Sequence, residues 1–464
     1  MPAISTGDYK KKLPIWGASL LFFGIVGVVF GVGIYPDSDT YIQMQAKREP
    51  LYPLFLHLCG NLSVAVILQN LLAAGSVAYF TCTMQELFLE KLKKGWKWFG
   101  TAVLWLCALM PHLMTPLGSA SHMILSNSIL TEGLTYPFYL FFSTELVKVL
   151  LETEERHRKT ALFKGLVWVF LLLMLRSQML TTLFIWAVVA VYMALTRKKE
   201  WKQRAAACGE ILLAVLFVIL AKNLCYHTYY NHYCNGYSGE NLGNIGFLAN
   251  TLYLVDETEA IEVQNEELLD SYRQLLETRK TEGLYFIKES NVLKQALQYE
   301  DCYDPLKYEV IQPILEEKLY GDGVTGQEVN EQLYQQCGVL FQALLPHVTG
   351  EYLALVFDNL CLGLIRTVSL PHGLFVWIGV LGYAILIGLL IYKRRKKRDK
   401  AVQLLLLLAL GMTLLHTAAT AAVIMCLSRY VIYNTTLLYS AGFLALLEEM
   451  IEKRKNGLKW DTNI

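Results

Sequence analysis

Apolar residues along this 464-residue chain gather into runs long enough to cross a bilayer, and the turns after every second run are basic. A hydrocarbon core demands about 20 consecutive apolar residues of a helix. Residues 13–34, 54–80, 99–115, 122–150, 166–180, 181–196, 205–224, 374–392, 401–426 and 431–447 meet that pattern and predict ten spans. Lys10, Lys11 and Lys12 precede the first run, and Lys91, Lys93, Lys94 and Lys97 follow the second. Charged segments follow at 152–164, 197–204 (Arg197, Lys198, Lys199, Lys202, Arg204), 393–398 and 448–464. Basic clusters stay in the cytoplasm, so the alternation predicts that both termini are cytoplasmic in a multi-pass cell-membrane protein. Residues 351–369 are apolar but interrupted by Asp358 and Arg366, which predicts a helix lying in the outer interface rather than an eleventh span.

Residues 225–350 break the pattern, with 20 Asp and Glu against 7 Lys and Arg. Apolar positions recur at helical spacing over 261–281 and 329–345, so this stretch reads as a folded helical unit rather than a linker. The expected fold is an all-α polytopic membrane protein of about ten transmembrane helices. Its parts are a membrane module at 1–224, a small, mainly helical extracytoplasmic domain at 225–350, and an interfacial helix with three more spans at 351–464.

Composition agrees: 54% hydrophobic residues is too many for a soluble chain of this length, and the net charge of +1 conceals the segregation just described. No Walker A loop, GxGxxG or GxSxG is present, which argues against a nucleotide-sugar fold or a serine hydrolase. Ten cysteines lack CxxC or Cys/His metal spacing. Cys225, Cys234, Cys302 and Cys337 leave a disulfide open without assigning a pairing. The first apolar run exceeds the roughly 7–15 residues of a signal-peptide core, so it is expected to stay as a helix. His57, His112, His122, His372 and His416 have no ligand spacing and read as structural.

The polar residues follow the end of the first run, in Tyr-Pro-Asp-Ser-Asp-Thr-Tyr over 35–41 and Arg-Glu-Pro-Leu-Tyr-Pro over 48–53. An Asp followed four residues later by a Tyr just beyond the first membrane helix, Asp37 and Tyr41 here, resembles the first outer loop of the GT-C glycosyltransferases. So does the Arg48-x-Pro50-x-Tyr52-Pro53 approach to the second helix, although Leu51 stands where that family usually has Gly. These are polytopic enzymes that take a sugar from a polyprenyl-phosphate carrier, and they include bacterial relatives of the protein mannosyltransferases. The resemblance covers about 13–194 well and the last two spans loosely; residues 225–350 resemble nothing identifiable.

The resemblance implies a GT-C-like fold and transfer, with inversion, of a monosaccharide from a lipid phosphate to an extracytoplasmic glycan, lipid or protein. Asp37 would be the base, Asp39 its rival, and Glu132, after the polar Ser126-Asn127-Ser128, a second acid; an ionisable group at a membrane helix is a functional candidate by default. The same acids could instead cap a helix or hold a neighbour. Arg176 in Leu175-Arg176-Ser177, which lacks the family's following Pro, and the Arg429-Tyr430 pair would hold the leaving phosphate, since guanidinium forks grip phosphate oxygens. Interfacial snorkelling is their plain alternative. Tyr41 and Arg48 would support donor binding, Arg48 and Arg366 as weaker candidates than Arg176 and Arg429, and Lys47 weaker still. Asp37, Asp39 and Glu132 could share a divalent cation through oxygen ligands, which stays open. A transporter or lipid flippase, or a non-catalytic assembly protein with this fold, are the competing readings. Nucleic acid is not an expected partner.

Overall fold

The computed structural model describes residues 6–118, 122–197, 200–237, 243–256, 266–324, 326–396 and 399–460. Lys198, Lys199, Lys397, Arg398 and residues 261–265 of the expected helical patch lie outside them. The described chain is helical. Its first part comprises α1 (Thr6–Phe30), the short α2 (Ser38–Ile42) and α3 (Leu51–Cys59), α4 (Leu62–Met84), α5 (Lys94–Gly118), α6 (Glu132–Leu151), α7 (Glu155–Leu175), α8 (Leu180–Arg197) and α9 (Trp201–Tyr233). A smaller unit follows: α10 (Gly243–Leu254), α11 (Glu266–Thr281), α12 (Val292–Pro305), a π-helical turn Leu306–Ile311, and α13 (Gln312–Gly321). Then come α14 (Gln327–Val368), α15 (Leu374–Arg395), α16 (Lys400–Val423), α17 (Ser428–Val431) and α18 (Thr435–Trp460). Among the described residues the one β contact is an isolated parallel bridge between Gly33 and Ser128.

Among the described residues ten helices are long and apolar enough to cross a membrane, and the chain is a multi-pass membrane protein. They are not quite the ten runs read from the sequence. The set omits α7, whose first half carries Arg156, Arg158, Lys159 and Lys164, and includes α14. Yet α7 packs along α6 and α8, and Trp186 Nε1 donates to Leu162 O at 3.0 Å. The second half of α14 behaves differently. Tyr352 donates to Ala422 O (2.9 Å), Asn359 Nδ2 to Ile424 O (2.7 Å) and Arg366 Nη1 to Cys426 O (2.9 Å). Residues 352 and 366 are about 21 Å apart on a helix, yet all three meet one short segment. This half therefore lies across the end of α16 rather than alongside it. Its turn away from the first half falls at Val348 (φ −123°), two residues after Pro346.

Two expected spans begin differently. The run 54–80 is broken at Gly60 (φ 63°), which ends α3; Asn61 then caps α4 by accepting from Ser63 N at 2.7 Å. Residues 122–131 are not helical apart from one 3₁₀ turn, so Glu132 is the first residue of α6 rather than a residue within a helix from 122. The cause is a polar clasp that claims this backbone. Gln69 Nε2 donates to Ser126 O (3.0 Å) and Ser128 O (3.1 Å), Tyr52 donates to Gln69 Oε1 (2.9 Å), and Asn70 Nδ2 reaches Asn127 Oδ1 (3.0 Å). Asn127 Nδ2 in turn donates to Gly31 O at 2.6 Å. Buried polar groups need such partners, and here satisfying them binds the loop after α1 to the start of α6.

The unit from α10 to the first half of α14 has its own core, around Leu252, Tyr272, Leu275, Tyr299, Leu306 and Leu340. Met425, just past α16, is buried in the same core, which fixes the unit to one end of the bundle. All ten cysteines are free thiols.

Candidate active site

The clasp brings the loop after α1 beside the first turn of α6, and so brings Asp37 and Glu132 to the same end of the bundle. The bridge hydrogen bonds are Gly33 N to Asn127 O and Ile129 N to Gly33 O, both 2.9 Å. Glu132 heads α6, where the helix dipole favours a carboxylate. Arg176 ends α7 and Arg429 lies in α17, so each basic group comes from a different turn at that end.

These residues interlock. Arg48 Nη2 pairs with Asp37 Oδ1 at 2.6 Å, while its Nε donates to Thr40 Oγ1 at 2.6 Å and Nη1 to Tyr41 Oη at 3.3 Å. Arg176 Nη1 pairs with Glu132 Oε1 at 3.1 Å and with Tyr433 Oη at 3.3 Å. Arg429 lies between the acids, with Nη2 4.0 Å from Asp37 Oδ2 and Nε 3.9 Å from Glu132 Oε1. The Tyr430 ring is flanked by both guanidinium groups, Arg176 at 4.7 Å and Arg429 at 4.9 Å from its centroid. Its backbone is held by His416 Nε2, 2.9 Å from Tyr430 O. Three arginines converge on two carboxylates, and among the described residues Arg429 Nε is buried without a hydrogen-bond acceptor. That combination suits an anionic group arriving from outside.

Exposure separates the two acids: the Asp37 side chain is 37% accessible and that of Glu132 only 3%. Glu132 is committed to holding arginines, whereas Asp37 keeps an open side. Burial pushes the Asp37 carboxyl upward, but Arg48 and Arg429 outweigh it and hold it below its ordinary value, so it is ionised at neutral pH. The Tyr41 hydroxyl is pushed up to about 12 by burial, against the pull of Arg48, and remains a donor.

Of the other sequence candidates, Asp39 is exposed, and Arg366 is a staple, bonded to Glu300 at 2.6 Å and to Cys426 O. Among the described residues no three His, Cys, Asp or Glu side chains are grouped to hold a metal ion. Asp37 and Glu132 meet guanidinium groups where a shared cation would need their oxygens. Glu49, next to Arg48, accepts from both Ser177 N and Ser177 Oγ at 2.9 Å and so fixes the turn bearing Arg176.

Sequence reasoning missed Tyr433, Thr40 and a pair from the smaller helical unit, Asp304 and Lys307. Tyr433 follows Tyr430 by one helical turn, a spacing that could have flagged it. Lys307 sits on the π-helical turn, its Nζ 3.2 Å from Tyr308 Oη and 5.0 Å from the Tyr303 ring centroid. It helps to lower Asp37. Burial works against its charge, but Tyr303, Tyr308 and Asp304 raise it overall. Asp304 is pushed upward by burial, with Lys307 and Arg429 opposing. No local signal shows that this unit reaches the site. No family model matches the chain, no curated protein matches it in sequence, and no solved structure matches it.

Proposed function

We propose that the chain is a GT-C-like membrane glycosyltransferase that moves a monosaccharide from a polyprenyl-phosphate carrier to an extracytoplasmic acceptor with inversion. The observation that carries this reading is the half-open Asp37 carboxylate beside a cluster of three arginines in which Arg429 Nε lacks an acceptor among the described residues. Asp37 takes the proton of an acceptor hydroxyl as that oxygen attacks the anomeric carbon. The bond from that carbon to the carrier phosphate breaks with its electron pair going to the phosphate oxygen. Arg176 and Arg429 stabilise the charge gathering there, and Glu132 fixes their positions. Arg48 and Tyr41 orient Asp37, while the α10–α13 unit, carrying Lys307, overhangs the acceptor side.

In this reading the Asp37 end of the bundle is extracytoplasmic and both termini are cytoplasmic. Basic groups at the opposite end support it: Lys393 pairs with Glu448 at 2.6 Å and Glu449 at 2.8 Å, and Lys12 pairs with Glu86. The test is to reconstitute the protein in vesicles and supply a panel of polyprenyl-monophosphate sugars, with nucleotide sugars as the comparison. Release of free polyprenyl phosphate from at least one lipid donor is expected. Sugar transfer from nucleotide sugars alone would overturn the assignment.

A further inference from the structure

A second cluster of charge lies at the other end of the bundle and has no part in the proposed transfer. Glu145 follows Glu132 by thirteen residues on α6 and so sits about 20 Å away along the helix. It lines a crevice of about 300 Å³ with Tyr79 of α4, Phe141 of α6, and Lys164, Val167 and Trp168 of α7. α6 is the floor, packed on both α4 and α7. Phe141 and Trp168 stack at 4.6 Å with an 11° interplanar angle and make one wall.

The charges here are unevenly satisfied. The Tyr79 hydroxyl donates to Glu145 Oε1 and accepts from Lys148 Nζ at 2.6 Å, joining those two ions through one group. Glu145 is buried, at 2% exposure, yet among the described residues its Oε2 accepts no hydrogen bond. Lys164 is exposed and has no ion-pair partner among the described residues. The two line the same crevice, and Gly165, next to Lys164, packs against Glu145: a Cβ placed on it would stand 3.8 Å from Glu145 Cβ. One crevice thus offers a free ammonium and a free carboxylate oxygen. A ligand carrying a group of each sign would engage both from within the one crevice.

We infer that this crevice binds a zwitterionic aminophospholipid of the phosphatidylethanolamine class, its phosphate on Lys164 and its ammonium on Glu145 Oε2. The surroundings favour a lipid over a soluble zwitterion. Phe163 and Val167 on the same helix are exposed apolar side chains, as a lipid-facing helix requires, and the Phe141–Trp168 stack gives a flat apolar wall for the glycerol and upper acyl carbons. An ammonium satisfies Glu145 by donating hydrogen bonds, which a quaternary choline cannot do and a glycerol headgroup does only without charge.

Native mass spectrometry of the purified protein, titrated with phosphatidylethanolamine, phosphatidylcholine and phosphatidylglycerol of identical acyl chains, reads this directly. The wild type is expected to retain phosphatidylethanolamine about tenfold more tightly than either of the others, the effect of one charge-assisted hydrogen bond. Glu145→Gln should abolish the preference over phosphatidylcholine, and Lys164→Ala should weaken both lipids together. Lys164 is exposed, so that variant reports on binding even where Glu145→Gln fails to fold. Equal retention of all three lipids by the wild type, a preference for phosphatidylglycerol, or unchanged binding in Lys164→Ala would each overturn the inference. None of these outcomes bears on donor turnover at Asp37.

Discussion

Arg48 reaches back eleven residues to hold Asp37, with Nη2 2.6 Å from Oδ1, and two further bonds to Thr40 and Tyr41 lock the guanidinium. The expected base and its orienting cation therefore belong to one loop, and the rest of the bundle supplies the groups opposite. This division makes the contributions separable by mutation.

Arg48 should set the acid limit of activity. Asp37 is held below its ordinary value, so its ionised form persists as pH falls and its contribution to stability, present above the unfolded value, is lost only as pH drops through the folded one. Arg48→Gln removes the largest downward influence. The acid limb of the pH–rate profile should shift to higher pH, and an unshifted limb would detach Arg48 from Asp37's titration.

Arg176→Ala and Arg429→Ala should weaken donor binding more than acceptor binding. Loss of a charge-assisted bond to phosphate costs about 1.5–3 kcal/mol, roughly ten- to hundredfold in donor affinity. Both arginines also face buried Glu132, Arg176 at 3.1 Å and Arg429 at 3.9 Å, so each variant is read beside its Tm. Donor affinities unchanged in both variants would reduce these arginines to structural ions.

The clasp under the site should be worth measurable stability. Asn127→Ala removes bonds to Gly31 O (2.6 Å) and Val26 O (3.2 Å) and strips Asn70 of a partner. A loss of about 1–3 kcal/mol is expected from the buried groups left unpaired, read as a lower Tm in detergent. Turnover should fall as well, because the same bonds hold the Asp37 loop against α6. Wild-type Tm and turnover together would show that the loop is fixed by something else.

The proposed sidedness is open to labelling. Asp322 is exposed in the turn after α13, and Cys225 is the one exposed native cysteine. In a Cys225→Ser background, Asp322→Cys should react with a membrane-impermeant thiol reagent in intact cells. Reaction only after permeabilisation would put Asp37 on the cytoplasmic side.

Much of the membrane architecture was legible because bilayer thickness imposes run length, and run length survives in a bare sequence. The departures have physical causes. The run 122–131 is apolar enough for a helix, but its backbone carbonyls are claimed by Gln69, Tyr52 and Asn70, contacts 56 to 76 residues distant. Residues 351–369 alone read as an interfacial helix, but α14 as a whole is apolar enough to count as a candidate span, and Asn359 and Arg366 tie its second half to the end of α16. In the site, Asp37, Arg48, Glu132, Arg176, Arg429 and Tyr430 were visible as polar residues at helix ends, and the structure brings them together. Lys307 and Asp304 were not, because docking of a separate unit leaves no periodicity to read.

The central claim is that Asp37, and not Asp39, acts as the base in transfer from a lipid-linked donor. The most direct measurement is turnover by purified Asp37→Asn and Asp39→Asn proteins reconstituted with a polyprenyl-phosphate sugar that the wild type uses, with folding checked by Tm. Loss of transfer in Asp37→Asn, with Asp39→Asn close to wild type, is the predicted result. Wild-type turnover by a folded Asp37→Asn protein would contradict the account.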